Sequence, residues 1–115
     1  MEKKLTEKVE FTKLAPYFYV AGQLEVSDIT RLVPLGVNTL VCNRPDGEAG
    51  QTSSKLISAA AEAAGIKFLY LPMTNPDDTV SQGIKMKEVL VDGGVVLAYC
   101  RTGRRSSALW KATNN

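Results

Sequence analysis

Near the end of the chain, Tyr99-Cys100-Arg101-Thr102-Gly103-Arg104-Arg105-Ser106-Ser107 sets one thiol beside three guanidiniums, a glycine and two serine hydroxyls. Residues of these types at this spacing suit nucleophilic attack on an anionic substrate. A free thiol has a pKa near ~8.5, and cations and helix amide groups bring it down. Gly103 lets the backbone curl so that its N–H groups turn inward as a nest for an anion. Arg105 offers a planar fork for an oxyanion. Cys100 is therefore the candidate nucleophile and Arg105 its electrostatic partner. Arg101, Thr102, Gly103, Arg104 and Ser106 are the candidate anion contacts. Ser106 or Ser107 either hydrogen-bonds the sulfur or caps the following helix. A plainer reading makes Cys100 a small buried hydrophobe and the arginines solvated surface. Against it, arginines at a helix start oppose the helix dipole, and a bound anion relieves that conflict.

The chain has no histidine. That excludes a Ser-His-Asp triad, a Cys-His pair and a nitrogen-ligated zinc site. Its two cysteines do not make a structural metal site alone, so neither metal nor cofactor is expected. If the thiol attacks a phosphate ester, a nearby carboxylic acid would protonate the leaving oxygen. The candidates are Asp77 and Asp78, in a polar loop "MTNPDDTVSQG", and Asp46 in "NRPDGE". Asp77 and Asp78 serve equally as a turn pair capping the next helix, and Asp46 fits the Pro-Asp-Gly turn itself. Arg44 either binds substrate or pairs with Glu48. Cys42 ends an earlier strand, and if that strand neighbours the one ending at Cys100, a protective Cys42–Cys100 disulfide is expected on oxidation. Its other reading is a buried packing cysteine.

The elements that would position these groups alternate. "YFYVAGQ" reads as a strand, and "EVSDITRLVPLG" as a short helix distorted by Pro34, with Ser27 and Asp28 as start signals. "VNTLVCN" is a second strand, stopped by "RPDGEAG". "QTSSKLISAAAEAAG" is a helix with caps at Thr52 to Ser54 and Gly65 as its stop. "IKFLYLP" is a third strand. A helix opens near Ser81 and ends at Gly93. "VVLAYC" has the unbroken apolar character of a central strand, and "SSALWKAT" is the last helix. Strand and helix alternating four times imply an α/β fold. The expected architecture is a three-layer sandwich with a mainly parallel four-stranded sheet flanked by helices, formed by one domain over 1–115 in which 1–16 is an N-terminal extension. Ligands of such sheets bind at the carboxyl ends of the strands. "NRPDGE", "PMTNPDDT" and "CRTGRRS" all fall there.

Composition adds bounds. The chain has 115 residues, 44% of them hydrophobic, with a net charge of +2. This suits one cored domain and gives no reason to expect a nucleic-acid partner. No segment approaches a membrane span, and "MEKKLTEKVE" lacks the apolar run of a secretory signal. A cytoplasmic location and no membrane partner are the expectations.

A Cys followed by four residues and then Arg-Ser, with Gly midway, resembles the active-site loop of single-domain rhodaneses. The protein-tyrosine and dual-specificity phosphatases use a related loop with five intervening residues and usually a His where this chain has Tyr99. Over Tyr17 to Trp110, "FYVAGQLEVSDITRLVPLGVNTLVCNRPDGE", "AAAEAAGIKFLYLPM" and "YCRTGRRSSALW" together resemble the bacterial beta-lactamase-hydrolase-like, phosphatase-like domain family. That resemblance implies a phosphatase-type α/β fold. It also implies a cysteine-dependent phosphohydrolase, or a sulfur-handling domain beside persulfide enzymes.

Three functions follow. In the first, the Cys100 thiolate attacks phosphorus and forms a phospho-cysteine. In the second, it takes a sulfane sulfur as a persulfide, which a shorter loop and Tyr99 favour. In the third, the loop only binds an anion or a phosphorylated partner through Arg101 and Arg104. The expected partners are thus a phosphorylated or sulfane-sulfur substrate, with a fused or partner domain of sulfur metabolism in the second case.

Overall fold

The computed structural model describes residues 8–114. Five strands form one sheet: β1 (Phe11–Ala15), β2 (Phe18–Ala21), β3 (Val37–Cys42), β4 (Lys67–Tyr70) and β5 (Val95–Tyr99). Their order is β1-β2-β5-β3-β4. β2, β5, β3 and β4 run parallel, and β1 is antiparallel to β2. The helices are α1 (Ser54–Ala63), α2 (Asp77–Val91) and α3 (Arg104–Thr113).

The sheet divides the core in two, because successive side chains on a strand point to opposite faces. On one face Leu40, Cys42, Leu97 and Tyr99 pack with Leu24, Ile29, Leu32, Ile57 and Ala61. On the other, Val41, Val96 and Ala98 pack with Met86 of α2 and Leu109 of α3. This is the three-layer α/β arrangement expected from the alternation. β5, the most apolar strand, lies at the centre of the sheet with its last four residues buried. Its carboxyl end, and with it Cys100, therefore falls between the ends of β2 and β3.

Three elements differ from the sequence reading. The sheet has five strands and not four, since Phe11–Ala15 forms an edge strand inside the segment expected to be an extension. The rest of that extension, 1–7, lies outside the described residues. An edge strand exposed at its three central residues carries little hydrophobic alternation, although Phe11 packs under the Arg31 guanidinium, 4.1 Å from the ring centroid. The short helix after β2 is a pair of 3-10 segments, Val26–Arg31 and Val33–Leu35. Asp28 reaches back to the Glu25 N–H (2.8 Å), so it stands inside the helix start and not before it. α2 begins four residues before Ser81, at Asp77. Gly83 reads as loop punctuation in the sequence but sits inside α2. A Cβ there would meet Ala112 Cβ at 3.7 Å, ordinary van der Waals contact, so Gly83 lies where α2 faces α3 but the packing does not require a glycine.

Candidate active site

The strand ends bring four segments to Cys100. Backbone bonds from Asn43 N–H to the Tyr99 carbonyl (2.8 Å) and from Met73 N–H to the Asn43 carbonyl (3.0 Å) stitch the segments after β5, β3 and β4 together. The fourth follows β2, a segment sequence reasoning left out of the site. Cys100 N–H donates to the Ala21 carbonyl (3.2 Å), and Gln23 N–H to the Arg101 carbonyl (3.2 Å). Gly22 permits this approach, since a Cβ there would stand 2.9 Å from the Arg101 carbonyl oxygen. A glycine directly after an apolar strand was the available signal.

Only Arg101, Thr102 and Gly103 separate Cys100 from α3. Gly103 adopts φ 92°, a conformation that favours glycine, and turns the backbone into the helix. Its N–H donates to Cys100 Sγ at 3.1 Å. The sulfur is buried at the floor of the loop, with the residue 1% exposed. Burial is the largest single influence on its ionisation and opposes it. The N–H and hydroxyl of Ser106, with the N–H groups of Thr102 and Arg105, together outweigh burial and hold the thiol below its ordinary pKa. The thiol is thus activated without imidazole. Arg101, Thr102 and Arg104 are exposed on the rim, and Arg104 N–H is met by Thr102 Oγ1 at 3.3 Å.

Arg105, on the first turn of α3, presents its fork to Glu48: Nη1 to Oε2 at 2.9 Å and Nη2 to Oε1 at 3.0 Å. Nη1 also donates to the Met73 carbonyl at 3.1 Å. Glu48 serves a second guanidinium as well, accepting from Arg44 Nε at 2.9 Å. One carboxylate between two guanidiniums leaves a positive charge over, and Cys100 is among the groups that raise the Arg105 pKa. Arg105, first by its hydrogen bonds, holds the Glu48 carboxyl down to about 2 from its ordinary 4.5.

Of the two roles read for Arg44, the structure shows the ion pair. The residue is 2% exposed, and its other donors go to Gln23 Oε1 (2.8 Å) and the Ala49 carbonyl (2.7 Å). It braces the loop from behind and offers no donor to a substrate. Asp46 is corrected in the same way. Its carboxylate accepts from Ser54 N–H (2.9 Å) and Ser54 Oγ (2.6 Å), so it is engaged at the start of α1. Asp78 accepts from Thr74 N–H (2.6 Å), Thr74 Oγ1 (2.8 Å) and Asn75 N–H (3.2 Å). The Thr74 bonds lead in depressing its pKa, so it stays ionised as a turn clasp. Asp77 lies beside it in the first turn of α2, and its carboxylate accepts no hydrogen bond among the described residues.

Cys42 and Cys100 are both free and buried, and the bond between them is expected only on oxidation. Cys42 is in register with Tyr99, on the α1 face of the sheet. Cys100 follows Tyr99 and turns its sulfur into the loop. Cys42 donates to the Arg44 carbonyl at 3.3 Å, and burial raises its pKa. It is the packing cysteine of the alternative reading. Tyr99, in the place of the usual histidine, buries its hydroxyl beside Cys42, and burial raises the phenol's pKa strongly.

Two grooves flank the loop. One, of about 440 Å³, runs between β1 and the loop past Glu10, Gly22, Thr102 and Arg104. The other, of about 340 Å³, opens onto Arg105 between Met73, Pro76 and Ala108. The missed strand β1 thus forms a wall beside the candidate site. Among the described residues no helix is long and apolar enough to cross a membrane.

Glu48 offers a direct test of the charge cluster. Its folded pKa is depressed, so its contribution to stability is complete above about 4.5 and is lost as pH falls towards about 2. Glu48→Gln should lower the melting temperature at neutral pH and flatten its acid dependence across that window, read by circular dichroism. Asp78, also depressed, should leave a residual slope. An unchanged acid limb in the variant would remove Glu48 as the hub.

Comparison with known proteins places these features. The family model described as beta-lactamase hydrolase-like protein, phosphatase-like domain matches residues 10–115. The beta-lactamase hydrolase-like protein of Agrobacterium fabrum is 30% identical over 93 residues, which are 79% of this chain and 22% of that protein. The chain thus spans about a fifth of the length of that curated relative. A crystal structure of a candidate phosphatase from Neisseria meningitidis is 35% identical, with a TM-score of 0.68 over 85% of this chain and 71% of that one. A candidate phosphatase from Shewanella putrefaciens shares the fold with a TM-score of 0.76 at 20% identity, over 96% of this chain and 71% of that one.

Proposed function

Because the chain belongs to the beta-lactamase hydrolase-like protein, phosphatase-like domain family, we propose that it is a cysteine-dependent phosphohydrolase acting on phosphate monoesters. The observation that carries this reading is the convergence of the loop amides and Ser106 on a Cys100 thiol held below its ordinary pKa. The thiolate attacks phosphorus, the bond to the ester oxygen breaks, and a phospho-cysteine forms. Arg105 and the loop amides stabilise the charge on the transferring oxygens. Water then attacks phosphorus, the S–P bond breaks, and phosphate leaves with the thiolate restored. Asp77, with its uncommitted carboxylate, is the proposed proton donor to the leaving oxygen, since Asp78 is committed to Thr74 and Asn75.

The sulfur-transfer reading rests on the rhodanese-like loop, its length and Tyr99, and the relatives' descriptions name phosphatases and no sulfur transfer. Pure anion binding leaves the lowered thiol pKa without a use. A paired assay separates the three. The protein should release phosphate from p-nitrophenyl phosphate, whose leaving group needs little help from an acid, and form no thiocyanate from thiosulfate and cyanide. Thiocyanate without phosphate would overturn the proposal in favour of sulfur transfer. Neither product would leave a binding module.

A further inference from the structure

Asn43 opens the "NRPDGE" segment, but the sequence reading gives it no role of its own, and it is wholly buried behind the loop. Its side chain links two elements. Nδ2 donates to the Leu71 carbonyl at 2.8 Å, and Oδ1 accepts from Ser106 Oγ at 2.8 Å. Its backbone is held too, by the Tyr99 carbonyl on one side and Met73 N–H on the other. These four ties leave the amide one orientation. Turned over, its oxygen would face the Leu71 carbonyl, acceptor against acceptor, in a buried place.

The Ser106 hydroxyl carries a single proton. Its oxygen lies 2.8 Å from Asn43 Oδ1, it is itself fully buried, and with its own N–H it favours the ionised Cys100 sulfur. A proton turned to Asn43 leaves the sulfur facing an oxygen lone pair. A proton turned to the sulfur leaves Asn43 Oδ1 without a donor. The two directions exclude each other, and the charge on sulfur chooses between them: a thiolate draws the proton, whereas a sulfur bonded to phosphorus is a weak acceptor and releases it. We propose that Asn43 is a positioning residue that sets the direction of the Ser106 hydroxyl, taking its proton when the sulfur is covalently occupied and competing for it when the sulfur is free.

This rests on Cys100 being the reacting thiol, but its test needs no substrate. The thiolate is titrated by its ultraviolet absorbance, with Cys100→Ser protein subtracted. The other charged and titratable groups about the sulfur are Arg105 with Glu48 and, behind, Cys42, Arg44 and Tyr99. They are common to every variant. Asn43→Leu removes the competing acceptor, and the midpoint should fall by about one pH unit. Ser106→Ala removes the donor, and the midpoint should rise by about as much, with Ser106→Thr restoring it. In the double variant Asn43→Leu/Ser106→Ala, the midpoint should match Ser106→Ala alone, because no hydroxyl is left to direct. Asn43→Ala takes the place of leucine if that variant does not fold. A merely structural Asn43 would change melting temperature and leave the midpoint in place. That result, or a Ser106→Ala midpoint equal to the native one, would overturn the inference. A shifted midpoint in a protein that releases no phosphate would sink the phosphohydrolase and leave the hydroxyl switch standing.

Discussion

Cys100→Ser protein should release no measurable phosphate from p-nitrophenyl phosphate, a loss of at least about 10³-fold, while remaining folded. The reason is local. The loop lowers the pKa of a thiol that begins within reach of neutrality, and the same donors cannot ionise an alcohol to any useful degree. The fold should survive because serine is smaller than cysteine and the site already has donors for its oxygen. A second result should accompany the first. With the sulfur charge gone, the cluster of Arg44, Arg105 and Glu48 keeps an unanswered positive charge. Inorganic phosphate should therefore raise the melting temperature of the variant more than that of the native protein, in which thiolate and phosphate repel each other. Residual turnover near the native rate would place the nucleophile elsewhere. Equal stabilisation by phosphate would mean that the sulfur carries no charge at rest.

Arg105→Lys should cost about 10²- to 10³-fold in phosphate release, most of it in kcat. Lysine keeps the charge and loses the fork. In the native site Nη1 and Nη2 grip both oxygens of Glu48, and Nη1 also holds the Met73 carbonyl. This grip fixes the plane of the guanidinium beside the sulfur and keeps Arg105 charged. An ammonium donates from a single point and cannot span the same acceptors. The loss should therefore appear mainly where charge builds on the transferring phosphoryl group, and less in KM. A lysine variant with native kcat would reduce Arg105 to a structural strut, leaving catalysis to the loop amides. A fall confined to KM would make it a ground-state binder.

Much of the site was legible because its signals are local. The apolar run into Cys100, Gly103 after it and the helix that follows specify a strand–loop–helix corner without outside help. Cys100, Arg105 and Ser106 do meet in that corner, and "NRPDGE" does reach it, through Glu48. The misreadings share a cause, which is that residue type does not say which partner a side chain takes. Arg44 is taken by Glu48, but also by Gln23 on another strand end and by Ala49. Asp46 is taken by Ser54, eight residues on. In both, the residue type suits a substrate and the fold assigns it to the frame. β1 escaped because an edge strand needs one neighbour and little apolar pattern. Cys42 is in register with Tyr99, the residue before Cys100, which strand periodicity alone did not show.

By itself the sequence determined the α/β class, the loop that carries the thiol, and the exclusion of histidine chemistry. These follow from periodicity, from a glycine at a positive φ and from a residue type the chain does not contain. Tertiary structure alone decided that β1 joins the sheet at its edge, that one carboxylate is shared by two guanidiniums, and that Asn43 stands behind Ser106. Contacts between segments distant in sequence settle each of these, and their partners are set by the order of strands in the sheet. That order depends on which long-range pairings bury the most apolar surface together, a property of the whole chain that no short stretch contains.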